Sequence, residues 1–439
     1  MTVSRHRRRM STTRAMIASL IGVGLALVLG IAGAVAIVNT KDGQVQGSNI
    51  PEVSFPATPT GAIAVLDSSG ALTSLAVLAI RPADGDEPGR GGTVVPVPVS
   101  ADASSGELGT ERRPIDETVA LDGPESVADE VPALLGVSID RIAVVNELEL
   151  SAMLAPLPAT SVGLPLAAAR ADGTVIVEAG PQTLDGTAMA AVLASRAPGR
   201  TAADEYLNHA AVWSAIAGAV GEGLATPLAL ESAITAGSPS APTIGELVGR
   251  LTSGPVSVQP LRSDPIVSVD VNPRGVDAVA LDRVEIAVIF GHIAPARVAA
   301  PYAGYAIRVV SAYGDDQLPP GTLRLDVAYT ATKALLGIEA NVRSVDTAAG
   351  DTEAPTVVEV ANEGLVAAGE RLADVFGPVE VRVADTRISG IDMVVTLGTD
   401  YLATLDAAAA TASTVPASAP VDGTAGTVGA ETTAAEGTS

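Results

Sequence analysis

Residues able to support acid–base, nucleophilic or metal chemistry are sparse in this 439-residue sequence. Cysteine is absent and the three histidines are His6, His209 and His292, which excludes a His/Cys metal site. No phosphate-loop, dinucleotide-binding, nucleophile-elbow or H-E-x-x-H pattern occurs. Asp84-Gly85-Asp86 lacks the further oxygen ligands of a cation loop, so a solvated turn is predicted there.

Two conspicuous side chains lie on one Ala-rich stretch. Helical spacing of its apolar residues predicts a long helix that is capped near Thr201 and ends at Gly221. Trp213 is predicted to anchor a core. His209 has no Cys or Ser partner in the pattern, so a surface or half-buried position is expected for it.

The charge balance restricts the partners. The chain carries 50 Asp and Glu against 26 Lys and Arg, a net charge of −24. Nucleic-acid binding needs clustered Lys and Arg that displace counterions. We therefore exclude a nucleic-acid partner and attribute the acidity to solubility.

The stretch from Ala15 to Val38 determines the predicted location of the whole chain. It contains no charged residue, and as a helix of about 36 Å it would cross a hydrocarbon core of about 30 Å. Arginines cluster in residues 1–14 and no basic cluster follows the stretch. The positive-inside rule therefore predicts a single-pass cell-membrane protein with residues 1–14 cytoplasmic and the bulk of the chain extracellular.

A cleaved signal peptide is the alternative for the same stretch. Ala34-Val35-Ala36 has the small-x-small pattern of a cleavage site. The apolar run is longer than the roughly 7–15 residues of a signal core, which favours the membrane anchor. Both alternatives export the rest of the chain.

The remaining sequence predicts an α/β fold in two parts. Residues 39–60 are polar and proline-bearing, as in a linker. Strand and helix patterns then alternate through a domain with its connecting region at residues 61–300. Within it, the apolar runs Ile266–Val271 and Val284–Phe290 are predicted as strands.

A second alternation predicts a smaller C-terminal α/β sandwich at residues 305–403. Its helices are expected over Leu323–Leu336 and Leu365–Phe376. The Ala/Thr/Gly-rich tail at residues 404–439 has few large apolar groups and is predicted to be disordered.

Two sequence patterns resemble a known family. Residues 121–145 read LDGPESVADEVPALLGVSIDRIAVV and resemble the V-x-x-L-L-G-I-x-I-D-x-Y-x-x-V stretch of the LytR-CpsA-Psr (LCP) family. Residues 177–186 read VEAGPQTLDG and resemble that family's K-x-G-x-x-x-L-[DN]-G turn. The resemblance covers about residues 60–225 and implies an LCP-like α/β/α domain.

The C-terminal part resembles the LytR C-terminal domain over residues 306–402. Its ending VVTLGTDY at residues 394–401 is similar to the V-V-L-G-x-D-Y close of that domain. The part contains no catalytic pattern, so a protein- or wall-interaction role is expected.

The LCP resemblance implies a reaction. Members of the family transfer glycopolymers from a polyprenyl-pyrophosphate carrier to peptidoglycan with a divalent cation, Mg²⁺. Arginines hold the pyrophosphate, because forked guanidinium groups neutralise its dense negative charge. The polyprenyl tail would occupy a long apolar cleft.

Carried over residue by residue, the implied site is depleted. Arg196 matches the second arginine of the family's R-x-R pair and is the best candidate for binding pyrophosphate, with Arg200 a weaker one. The family's R-x-x-R-Q segment falls near Glu205 to His209, where neither arginine is present. Its Asp of S-D-T falls on Thr73, and its I-P-R-D falls on residues 97–100, where only the proline is kept.

Two functions of different classes are compatible with this pattern. A third alternative is an ordinary exported α/β domain whose sequence only mimics the family. The first is a non-catalytic scaffold or binding protein of the cell envelope without cofactor or metal, whose partners are a polyprenyl lipid, peptidoglycan or a cell-wall glycopolymer. The second is an active transferase that uses Mg²⁺. Convergence of six arginines around an apolar cleft would favour the transferase: Arg81, Arg90, Arg112, Arg113, Arg196 and Arg200.

Overall fold

The computed structural model describes residues 50–103, 112–231, 234–350, 352 and 355–405. The predicted cytoplasmic segment, membrane span, most of the linker and residues 406–439 of the tail lie outside these ranges. The described residues from Val53 onward belong to one compact unit. Within the described ranges, no helix has both the length and the apolar character needed to cross a membrane.

Nineteen strands are formed by the described residues. They are β1 (Glu52–Val53), β2 (Thr60–Leu66), β3 (Leu72–Ile80), β4 (Gly92–Val97), β5 (Arg141–Asn146), β6 (Thr160–Leu164), β7 (Ala168–Ala169), β8 (Val175–Val177), β9 (Gly180–Leu184), β10 (Ile234–Gly237), β11 (Val256–Val258), β12 (Ser263–Pro265), β13 (Val279–Leu281), β14 (Ala306–Val310), β15 (Asn341–Asp346), β16 (Thr356–Val360), β17 (Val379–Val383), β18 (Arg387–Ile388) and β19 (Met393–Thr396).

Ten α-helices with defined ends lie in the same ranges. They are α1 (Ile115–Asp122), α2 (Val127–Leu135), α3 (Glu147–Leu154), α4 (Gly186–Leu193), α5 (Ala202–Val220), α6 (Ile244–Thr252), α7 (Arg283–Ile293), α8 (Arg324–Gly337), α9 (Val366–Glu370) and α10 (Ala373–Phe376). Residues 399–405 are also helical, so the start of the predicted tail continues a helix.

A six-stranded mixed sheet organises the first part of the chain. Its strand order is β10-β5-β2-β3-β4-β11. The β2–β5 and β4–β11 pairs are parallel, and the others are antiparallel. The short pairs β6–β9, β7–β8 and β12–β13 lie outside this sheet.

Helices cover both faces of the six-stranded sheet. Along β2, Ile63 and Val65 point to a core shared with α3, α4, α5 and α6, whereas Ala62 and Ala64 point to a core shared with α1, α2 and α7. Successive strand residues face opposite sides, so both sides of β2 and β3 are buried and the strands are apolar throughout. The predicted α/β/α architecture of the first part is therefore present.

A five-stranded sheet organises the C-terminal part, in the order β15-β14-β19-β16-β17. The β16–β19 pair is antiparallel and the other pairs are parallel. Ile307 and Val309 of β14 are buried against a core that includes α8, α9 and α10. Arg308 between them is half-buried, so helices cover chiefly one face of this sheet.

The prediction of a strand over Val284–Phe290 was wrong, because these residues form α7. Asp282 caps this helix by accepting from the backbone N–H groups of Val284 and Glu285. Ile289 and Phe290 pack into the core of the first part, and Val288 packs into the core of the C-terminal part. Because the helix is buried on two sides, the run Val284–Phe290 is apolar except for Glu285, and such a run cannot be distinguished from a strand by periodicity.

The prediction of a strand over Ile266–Val271 was also wrong. The segment is irregular, and Val267 and Val269 are 84% and 74% exposed. Apolar runs predict strands because they need burial, but here neither valine packs against a core. The helices predicted near Leu323–Leu336 and Leu365–Phe376 are present as α8 and as the shorter α9 and α10.

Candidate functional site

Arg196, the best sequence candidate for pyrophosphate binding, forms an ion pair. It follows α4, and its Nη1 lies 2.9 Å from Oδ2 of Asp116 in the first turn of α1. The Asp116 side chain is 15% exposed. Burial raises the pKa of Asp116, and the neighbouring Arg196 guanidinium opposes that rise. Arg196 therefore offsets the cost of burying a carboxylate.

Arg200, the weaker candidate, is also paired. Its Nη1 lies 3.2 Å from Oε1 of Glu205 and donates to the carbonyl of Ala167. The same Glu205 oxygen accepts from the backbone N–H of Ala197 at 2.9 Å. Burial raises the pKa of Glu205, whereas the Ala197 N–H and Arg200 lower it. Arg200 thus compensates a glutamate at the start of α5.

The two ion pairs belong to one group, which we call the α5 cluster: Asp116, Arg196, Arg200, Glu205 and Asp277. Arg196 also acts electrostatically on Glu205, and Asp277 acts on Asp116. The Asp277 carboxylate accepts from the N–H of Ala202 at the start of α5. Three carboxylates against two guanidinium groups leave no excess positive charge for an anionic ligand.

The other positions matched to the LCP pattern lie at the same place but are neutral. Thr73 is buried, and its hydroxyl lies 2.8 Å from the carbonyl of Leu193 at the end of α4. The Val99 carbonyl accepts from the N–H of Asp116, and Ser100 is fully buried. The fold therefore brings the matched positions together without the charged side chains that the family pattern has there.

The six arginines do not form one free cationic group. Arg112 is paired with Asp102 at 2.7 Å and Arg113 with Asp122 at 3.3 Å, so four of the six contact four different carboxylates. The remaining two are exposed at the end of β3 and in the loop before β4: Arg81 and Arg90. Convergence of the six arginines, which would favour the transferase, is not observed.

The α5 cluster does not fit the Mg²⁺ that the family resemblance implies. Asp116 and Glu205 already accept charged hydrogen bonds from Arg196 and Arg200, and Asp277 accepts from a backbone N–H. A hard cation needs several oxygen ligands that are free to approach it. Across the described ranges, no group of three or more His, Asp or Glu side chains is arranged to hold a metal ion.

Asp116 and Asp277 were not found by sequence reasoning. Asp116 lies 80 positions before its partner Arg196, and nothing in the local pattern indicates a pairing over that distance. Its one sequence signal is an acidic residue in the first turn of a helix that follows Pro114, and that signal is explained by the helix dipole alone.

The prediction that His209 is a surface or half-buried residue was wrong, whereas Trp213 is a core residue as predicted. His209 and Trp213 are each 3% exposed on the inner side of α5. Burial lowers the pKa of His209 to about 4, against hydrogen bonding to the backbone of Val192 and Ser195, which raises it. His209 lies one helical turn after the buried Glu205, so both side chains are on the same face of α5 and both are buried.

The pKa of His209 predicts a loss of stability in mild acid. The unfolded chain binds a proton at this ring below about pH 6.5, but the folded chain does so only near pH 4. The stabilisation is therefore complete above pH 6.5 and falls by about 3 kcal/mol as the pH drops to 4. Urea unfolding of wild type and His209→Gln at pH 7, 5.5 and 4.5 should show the smaller pH slope in the variant.

The acidic groups of the α5 cluster do not obscure this test. Burial raises the pKa of Asp116 and Glu205, so their contribution has the opposite sign. Both groups are present in both proteins, and the difference between the slopes reports His209. Equal slopes would contradict the assignment of a buried neutral imidazole.

The Asp185-Gly186 turn that carries the second family pattern has a packing role. The Asp185 carboxylate caps α4 by accepting from the N–H of Ala188 at 2.8 Å. A Cβ on Gly186 would lie 2.0 Å from the carbonyl oxygen of Leu154 at the end of α3. Only glycine allows α3 and α4 to approach this closely.

The chain is similar to solved structures of LCP proteins. "Crystal structure of B. subtilis TagV" matches with a TM-score of 0.38 and 12% identity, over 52% of this chain and 93% of that protein. An LCP enzyme from Actinomyces oris matches with a TM-score of 0.35 and 16% identity, over 54% of this chain and 93% of that protein.

A third structure is described as the LCP family protein YwtF (TagT) with bound octaprenyl pyrophosphate lipid. It matches with a TM-score of 0.35 and 14% identity, over 55% of this chain and 90% of that protein. No family model matches the sequence, and no curated protein matches it. These three structural neighbours are LCP family proteins, and each match covers about half of this chain.

Proposed function

We propose that this protein is a non-catalytic LCP-like protein of the cell envelope that acts as a scaffold or binding protein in cell-wall assembly. The observation that carries the proposal is the pairing of Arg196 with Asp116 and of Arg200 with Glu205. These two arginines are the sequence candidates for binding a pyrophosphate, and both already form ion pairs with carboxylates of the chain itself.

The charge balance explains why transfer would fail. Breaking a bond to a pyrophosphate leaving group develops negative charge that guanidinium groups or a divalent cation must stabilise. To do so, Arg196 would have to leave Asp116, which is 15% exposed, and Arg200 would have to leave Glu205, which is 3% exposed. Each separation leaves a buried carboxylate without its partner, and this costs several kcal/mol.

The partners proposed for the binding role are a polyprenyl lipid, peptidoglycan or a cell-wall glycopolymer. Two of the similar structures are complexes of TagT, one described as having bound octaprenyl pyrophosphate lipid and the other as bound to LIIa-WTA. Mass spectrometry of lipid extracted from the purified protein tests the first of these. Absence of any bound isoprenoid would count against a lipid ligand and leave the wall polymers.

The proposed location rests on the charge-free stretch at residues 15–38 and the arginines before it. The C-terminal part, which resembles a LytR C-terminal domain, would then face the wall. Protease added to intact cells should remove a tag placed after Ser439 and spare a tag placed before Met1. The opposite pattern would overturn the proposed orientation.

The proposal predicts that the protein does not cleave polyprenyl pyrophosphates. Full-length protein in detergent is incubated with geranylgeranyl pyrophosphate and Mg²⁺, and release of the product phosphate is followed beside an active LCP transferase. We expect no release above the protein-free control, both for wild type and for Arg196→Ala. Turnover by wild type that Arg196→Ala abolishes would establish an active transferase instead.

A further inference from the structure

A cavity lies outside the α5 cluster and shares no residue with it. It has a volume of about 350 Å³ and lies between one end of the six-stranded sheet, α7 and the start of α8. This volume is within the range of small-molecule sites. Its polar lining residues come from three neighbouring strand ends and from α7: Arg81, Thr93, Ser257, Gln259 and His292.

The cavity exists because small residues stand in a row across the sheet. Ala79 of β3 is opposite Thr93 of β4, and Thr93 is opposite Ser257 of β11. Residues in register on adjacent strands point to the same face. This face is the one covered by α7, because Val95, two residues after Thr93, packs into that core. Three short side chains in register leave space beneath the helix.

The charge of the cavity is opposite to that of the protein. Arg81 and His292 are the ionisable groups among its described lining residues, none of which is a carboxylate, although the chain as a whole carries a net charge of −24. The ring of His292 has its Nδ1 3.2 Å from the Val345 carbonyl. Asp346 is close enough to interact electrostatically with His292, but its carboxylate forms an ion pair with Arg308 at 2.7 Å.

The neutral lining groups are suited to hydroxyl groups. The hydroxyls of Thr93 and Ser257 lie 2.9 Å apart, and each has a further lone pair to offer a ligand. The Gln259 side chain is exposed at the end of β11 and adds an amide donor and acceptor. Ile289, Ile293 and Leu325 form an apolar wall.

We propose that this cavity binds a phosphate-bearing sugar or polyol. Arg81 holds the phosphate through its forked donors, Thr93, Ser257 and Gln259 bind hydroxyls, and the apolar wall covers the carbon skeleton. The inference does not rest on the absence of transferase activity, since the cavity shares no residue with the α5 cluster. The chemistry recognised is a phosphate ester beside hydroxyl groups, whether it belongs to a free sugar or polyol phosphate or to a unit of a polymer.

The test measures binding of defined probes to the full-length protein. Glucose 1-phosphate and glycerol 3-phosphate are titrated by calorimetry in a phosphorus-free, non-glycosidic detergent, with glucose, glycerol and inorganic phosphate as comparison ligands. We expect at least one ester to bind about tenfold more tightly than its unphosphorylated form. Binding should weaken as salt is added.

Two arginine variants locate the site. Arg81→Gln should weaken binding of the ester about tenfold, and Arg90→Gln should leave it unchanged, because Arg90 is an exposed arginine of the same loop that does not line the cavity. Thr93→Val should weaken binding of the ester while leaving that of inorganic phosphate unaffected.

Three results would overturn the proposal. One is no binding of either ester at millimolar concentration. Another is equal binding by wild type and Arg81→Gln. A third is inorganic phosphate binding as tightly as the esters, which would identify an adventitious ion only. Each of these can occur whether or not geranylgeranyl pyrophosphate is cleaved, so the two proposals fail separately.

Discussion

Replacing Glu205 by alanine is expected to lower the free energy of unfolding by about 3 kcal/mol. The carboxylate accepts from Arg200 and from the backbone N–H of Ala197. Without it, the largely buried Arg200 guanidinium loses its countercharge, although it still donates to the Ala167 carbonyl, and the Ala197 N–H loses its acceptor. An uncompensated buried charge and an unsatisfied buried donor are both costly. Urea denaturation followed by circular dichroism at pH 7 measures the loss.

Two variants give this measurement its controls. Glu205→Gln keeps an oxygen for Ala197 but removes the charge, so a smaller loss is expected. Glu147→Ala removes the partner of Arg170 in an exposed pair, whose side chains are 32% and 46% exposed, and should cost at most about 1 kcal/mol. Equal effects of Glu205→Ala and Glu147→Ala would show that the α5 cluster is not a buried ion-pair group.

Replacing Gly186 by alanine is expected to destabilise the protein by about 3 kcal/mol, although alanine favours helix. The new methyl group would lie 2.0 Å from the Leu154 carbonyl oxygen and 2.4 Å from its carbon. Both atoms belong to the backbone, so the clash can be relieved only by moving α3 away from α4. The midpoint of thermal unfolding reports the change.

The same substitution at Gly218 provides a matched control with the opposite sign. Gly218 lies exposed in the last turn of α5, and a Cβ there would meet nothing within 4 Å. Alanine should therefore stabilise the protein by about 0.5–1 kcal/mol through helix propensity alone. A stabilising effect at Gly186 would contradict the close approach of α3 and α4.

Two positions that match the LCP pattern have structural roles in this protein. Gly186 belongs to the pattern that resembles the LCP family, and its role here is to let two helices meet. Thr73, at another matched position, uses its hydroxyl to join β3 to the end of α4. The packing and hydrogen bonding of Gly186 and Thr73 account for these two residues without any reaction, because packing and phosphate chemistry make independent demands on a residue.

Several features of the protein follow from local sequence alone. The continuous apolar runs of β2 and β3 are typical of strands that are buried on both faces. The cap at Thr201 and the glycine at Gly221 predicted the ends of α5. The family patterns at residues 121–145 and 177–186 identified the LCP resemblance, since each combines such signals at a fixed spacing.

Other features were decided only by the tertiary structure. The run Val284–Phe290 became a helix because it is buried between two cores, and periodicity cannot report burial on two sides. His209 is buried because the end of α4 packs against this turn of α5.

The sequence shows that Arg196 and Arg200 are cationic, but it does not show whether each is free or paired with a carboxylate. Their partners Asp116 and Glu205 were fixed by folding, which brings together charges 80 and 5 positions apart. Whether an arginine can grip a phosphate depends on which carboxylates the fold places beside it, because electrostatic energy depends on distance in space and not on separation along the chain.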